Sequence, residues 1–176
     1  MRLTAGHAVS SSRIVWLALA SVVASACTHR VQGGAATSLS PDPPATEVVQ
    51  VSAAGSLLFF GASARTQFGT NYSSGALGLE LSLPPLTTKY RGRQWVPSGA
   101  LGAHVVQYDH INGEGSTSFG SPYLTGAYHH CRIWGRADHG RCLGGAVTAD
   151  YRIHKPVDNA WFLGLALTYT GFDYPF

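Results

Sequence analysis

The chain is short of charge and of long apolar runs. Its 176 residues carry 12 basic and 9 acidic side chains. The longest uncharged apolar stretch, Ile14 to Ala26, covers about thirteen residues, whereas a helix needs about 20 to cross a bilayer. Outside that stretch no segment sustains an apolar period of 3.6 residues, which argues against long amphipathic helices. The excess of basic residues is also small. Arg2 and Arg13 precede the apolar stretch, and without them ten basic residues face nine acidic ones. No basic stripe is left to neutralise phosphates, so nucleic acid is not expected as a partner.

What is present begins with an export address. A basic start, the short apolar core and the small residues Ala24-Ser25-Ala26 before Cys27 are what a secretion peptidase reads, so residues 1–26 are expected to be a signal peptide. Two cleavage readings stand side by side. Ala24-Ser25-Ala26 is an A-x-A site, and Ala26-Cys27 also resembles the end of a lipoprotein signal, which would put a lipid on Cys27. The tract that follows is rich in Gly, Ala, Ser and Pro and reads as a flexible linker over residues 27–46. Residues 47–176 are then long enough for one domain with one core.

That domain is expected to be all-β. Leu77, Leu79, Leu81 and Leu83 alternate with Gly78, Glu80 and Ser82, as do Leu143 to His154 and Trp161 to Thr170, giving one fatty and one small or polar face. Less regular alternation runs over 57–65, 98–108 and 122–132, with further strands possible over 47–54 and 86–95. A hairpin centred on Val157 pairs Ile153 with Trp161, Tyr151 with Leu163 and Val147 with Leu167, fatty against fatty throughout. A hairpin centred between Arg136 and Ala137 sets Thr125 opposite Thr148 and Cys131 opposite Cys142. In an exported chain that pair is expected to form a disulfide. The rival use of this region, a metal site from His129, His130, Cys131 and His139, is not expected, because successive strand residues point to opposite faces.

The non-fatty face is dominated by Gly, Ala and Thr with a few charges, as a narrow interior requires. The fatty face carries Tyr151 and Trp161 near one end and Tyr128 and Tyr169 near the other. From Gly145, level with the second pair, to Tyr151 is about 20 Å of strand, close to the apolar band of a membrane barrel. With its aromatic C-terminal end, Phe172, Tyr174 and Phe176, the stretch from about Leu57 to Phe176 resembles the small bacterial outer-membrane barrels of the OmpA and OmpX types. The resemblance implies an antiparallel up-and-down β-barrel of about eight strands, an outer-membrane location, contact with outer-membrane lipid, and folding by the barrel assembly machinery. Both termini and the Cys131–Cys142 hairpin would lie in the periplasm, with loops around 67–74, 109–120 and 155–159 facing outward.

Turned inward, the polar face would hold Glu80, His104, Tyr108, Tyr123, His129, Asp150, Arg152 and His154, which reads as a network pairing buried charge. An interior just filled by side chains leaves no open channel. The function expected is therefore a non-enzymatic structural or surface-contact role in a Gram-negative envelope, without cofactor or metal. Two alternatives are a lipid-anchored periplasmic or surface barrel with its leucines inward, binding an apolar ligand or envelope partner, and a lipid-modifying enzyme. For the enzyme, Asp109-His110 with Ser116, Ser118 and Ser121 supply the residue types of a hydrolase but no specific spacing, and no residue is assigned as catalytic.

Overall fold

The computed structural model describes residues 27–39, 47–70, 72–83, 85, 91–111, 114–118, 120–135, 138–152 and 160–174; of 72, 108–111, 114, 116–118 and 160 it describes the backbone alone. The described residues form β1 (Thr28–Ser38), β2 (Glu47–Leu57), β3 (Phe60–Phe68), β4 (Tyr72–Leu83), β5 (Gly92–Ile111), β6 (Glu114–Ser118), β7 (Ser121–Trp134), β8 (His139–Arg152) and β9 (Ala160–Asp173). Every pairing is antiparallel, and β1 pairs with both β2 and β9. Because β4 also pairs with β5, the sheet closes on itself and has no free edge around its waist. β6 and β7 lie along the same partner in one continuous register, Gln107 opposite Ser118 and His104 opposite Ser121. They act as one wall element, and the wall is an eight-stranded barrel.

Strand alternation decides what lies inside. Leu79, Leu101, Leu124, Leu143, Val147, Leu165 and Leu167 all point outward, and Glu80, His104, Thr125, Thr148, Asp150 and Thr168 are buried in the lumen. Some inward positions must be glycine. At Gly102 a Cβ would meet the Tyr123 ring at 2.8 Å, so the missing side chain makes room for a ring that the lumen network uses. The lumen floor, at the end where β1 starts and β9 finishes (the proximal end), is apolar: Val96, Cys131, Ile133, Cys142 and Phe172 pack together. At the distal end Ala36, Val48 and Phe162 form a smaller apolar cluster.

β7 and β8 adopt the register expected from their sequence, with Thr125 opposite Thr148 and Cys131 opposite Cys142, and the two cysteines are joined in a disulfide across the floor. Replacing both by serine is expected to cost about 2–4 kcal/mol, since an 11-residue separation frees a short loop in the unfolded chain and two hydroxyls enter an apolar floor. Chemical unfolding measures this; a loss below about 1 kcal/mol would show that the floor does not depend on the bridge.

Three expectations are corrected. Thr28–Ser38, read as part of a linker over 27–46, is the closing strand β1. Its Gly and Ala content looks like a tether, but a strand paired on both sides draws its stability from two hydrogen-bond ladders, and Gly34 lies so close to the Leu165 carbonyl that no Cβ would fit. Second, residues 86–95 contain no separate strand among those described. Gly92 to Trp95 open the 20-residue β5, which passes through Pro97 opposite Tyr128. Third, β8 and β9 pair two residues tighter than expected, with Tyr151 opposite Trp161 and Val147 opposite Leu165. An even shift leaves every side chain on its predicted face, which is why the pattern alone did not reveal it. Much of what was expected as distal loop at 67–74 and 109–120 is strand among the described residues: β3 reaches Phe68, β4 starts at Tyr72, and β5 pairs with β6 up to Ile111 opposite Glu114.

Candidate functional site

The chemistry-bearing residues converge in the lumen because eight strands each send alternate side chains to one axis. Two carboxylates organise them. Glu80 of β4 pairs with Arg30 of β1 at 2.9 Å, accepts a hydrogen bond from the Tyr123 hydroxyl at 2.7 Å and another from the Ser82 hydroxyl at 2.6 Å. Ser63 of β3 shares a hydrogen bond of 2.6 Å with the same Tyr123 hydroxyl. One anion thus joins four strands across the barrel.

The second centre is Asp150 of β8. It pairs with Arg65 of β3 at 2.9 Å and with Arg152 Nε at 3.0 Å, and His104 Nδ1 lies 3.6 Å away. The Arg152 guanidinium sits 4.2 Å from the Phe162 ring and donates to the Gln67 side chain. Gln67 in turn donates to Gln50, and Gln50 to Thr148 at 2.9 Å. The two centres touch, since His104 stacks on Tyr123 at 4.8 Å and the Arg65 guanidinium lies over the Tyr123 ring, 5.1 Å from its centre. A buried charge is tolerable only when paired and hydrogen-bonded; Glu80 is held by one guanidinium and two hydroxyls, and Asp150 by two guanidiniums.

Of the residues expected inward, Glu80, His104, Tyr123, His129, Asp150 and Arg152 are buried in the lumen. The side chain of Tyr108 and the whole of His154 fall outside the described residues. On β5 a bulge at Val105 shifts the alternation, and Gln107, which is buried, takes up the lumen-facing phase. Arg30 and Arg65 were missed. Arg30 sits in the stretch read as linker, although Arg30 and Gln32 flanking Val31 are a polar alternation that could have exposed it. Arg65 is at the end of an irregular segment, where Ser63, Arg65 and Gln67 share one phase.

The four residues of the rival metal site do not converge. His129 faces the lumen, near Ser98, Thr168 and Thr170, while His130 is on the outer wall against Trp95, and Cys131 is in the disulfide. No group of three metal-ligating side chains converges among the described residues. The backbone sets Asp109 opposite Ser116 and His110 opposite Gly115, but those side chains are not described, and Ser121 is buried in the lumen wall. Two lumen cavities, one beside Arg30 and Glu80 and the other beside Arg65 and Tyr123, each have room for about one water molecule, too little for an organic substrate. Compared with known proteins, the chain matches no family model, no curated protein and no solved structure.

Proposed function

We propose that this chain is an exported, non-enzymatic β-barrel of the outer membrane of a Gram-negative envelope, serving a structural or surface-contact role. One observation carries the reading: the barrel is apolar outside and charged inside. Leu165 and Leu167 are 71% and 74% exposed, whereas Asp150 and Arg152 are 1% exposed. A barrel whose outer wall met water would put its leucines in the middle and its charges on the surface; against hydrocarbon the present order is the stable one.

The aromatic spacing supports it. Trp161 and Tyr169 face outward on β9, and Phe60 and Phe68 on β3. Each pair is separated by about 26 Å of strand, or about 20 Å of height at the usual strand tilt. In this reading the proximal end faces the periplasm, segment 1–26 is the export signal, and the barrel assembly machinery folds the chain. The paired lumen and its water-sized cavities support a closed barrel rather than a pore, and carboxylates already held by arginine support a scaffold rather than a catalyst. Cys27, a free thiol just before β1 whose carbonyl accepts from the Asp173 amide at 2.8 Å, lies at the proximal rim, which supports its reading as a lipid attachment point.

Fractionation of cells carrying the wild type and Cys27→Ser tests both points. An integral barrel stays in the membrane fraction through alkaline washing with or without Cys27, and an acyl label on the wild type alone marks the lipid. A Cys27→Ser protein found wholly in the soluble periplasm would defeat the integral-barrel reading; a wild type without acyl label would remove only the lipid.

A further inference from the structure

Below the proximal aromatics, three neighbouring strands set arginines side by side on the outer wall. The register places Arg93 of β5 opposite Arg132 of β7, and Arg132 opposite Arg141 of β8. All three are on the outward phase; Arg93 and Arg132 are exposed and Arg141 is partly so. With strands about 4.8 Å apart the row spans about 10 Å. Like charges directly opposite destabilise a sheet. Arg141 is answered by Asp173 at 3.3 Å, which His139 shares at 3.0 Å. Neither Arg93 nor Arg132 has a carboxylate partner among the described residues, so no described side chain relieves the repulsion between them.

The same strands carry a graded surface above the arginines. One step up the wall the register aligns Trp95, His130, Leu143 and Tyr169, with Trp95 stacked on Tyr128 at 5.3 Å. Above that come outward Gly126 and Gly145, at which an added Cβ would meet nothing within 4 Å, flanked by exposed Leu101, Leu124 and Val147. From the arginines upward the wall offers a cationic row, an aromatic row and a shallow apolar trough. Phosphate, ester region and acyl chain follow one another in this order in a phospholipid.

We infer that Arg93, Arg132 and Arg141 form a binding site for the headgroup of a phospholipid of net negative charge in the proximal leaflet, its acyl chain lying along the Gly126–Gly145 trough. Guanidinium forks match phosphodiester oxygens in pairs, and two forks facing one phosphate turn the Arg93–Arg132 repulsion into joint attraction. This inference rests on the outer-membrane reading above.

The test uses the mature barrel with Trp161→Phe, so that emission comes from the proximal Trp95 and Trp134. It is folded into phosphatidylcholine vesicles in which either the phosphatidylcholine or an added phosphatidylglycerol carries brominated acyl chains. Quenching is expected to show phosphatidylglycerol favoured at the proximal wall by about five-fold or more. Arg93→Gln with Arg132→Gln brings the preference close to one, while Arg93→Lys with Arg132→Lys keeps an intermediate value. Equal quenching by both lipids around a folded wild type would overturn the site and leave the membrane barrel standing, as would a preference that survives the glutamine pair. A wild type that gains no β structure with vesicles would overturn the membrane reading, and the lipid site with it.

Discussion

On the proposed outer-membrane reading, Leu165→Arg should lower the stability of the folded barrel by about 2–4 kcal/mol, the cost of an arginine on a lipid face near the bilayer midplane. Leu165 is the position for this test because it lies midway along β9 between Trp161 and Tyr169, the outward aromatics near the two ends of the wall. The control is on the same strand. Thr168 is buried in the lumen, and Thr168→Ser keeps its hydroxyl and removes one methyl group, a loss of about 1 kcal/mol. Urea unfolding in vesicles gives both numbers. A Leu165→Arg protein as stable as wild type would mean that the fatty face meets water, and so would a cysteine at Leu165 that reacts freely with a membrane-impermeant maleimide.

How much of this could be read from the sequence depended on side-chain size. Strands with leucine on one face and glycine, threonine or charge on the other, such as β8 and β9, declare themselves by period two. The Cys131–Cys142 pair fixed the β7–β8 register, because a slip of one residue would have put the cysteines on opposite faces and a slip of two would have separated them. β8 and β9 had no such pin, and fatty meets fatty in either of two registers. β1 was illegible beyond the short alternation Arg30-Val31-Gln32 because its outward residues Gly33 and Ala35 are as small as its inward Gly34 and Ala36; there the alternation is present in position but not in hydrophobicity. With β1 went Arg30, and with Arg30 the partner of Glu80. The carboxylates, histidines and Arg152 of the lumen were visible as inward positions on the regular strands. What no single strand could show was which of them meet, since Arg65 and Asp150 are brought together only by closure of the barrel.

That closure makes Asp150 the residue on which the lumen depends most. Asp150→Ala is expected to destabilise the barrel by about 3–5 kcal/mol. The carboxylate holds Arg65 at 2.9 Å and Arg152 at 3.0 Å, and without it two guanidiniums face each other in a lumen that offers each little water; their side chains are 7% and 1% exposed. The cost comes from the charges left behind, not from the attraction lost. Removing one of them should therefore return part of the stability, and Arg65→Met combined with Asp150→Ala is expected to be more stable than Asp150→Ala alone. The double-mutant cycle reads this coupling directly, because the two residues are in contact and their effects should not add. Additive losses, or an Asp150→Ala cost below about 1 kcal/mol, would show that water reaches the guanidiniums and that the lumen is held by packing instead of by its ion pairs.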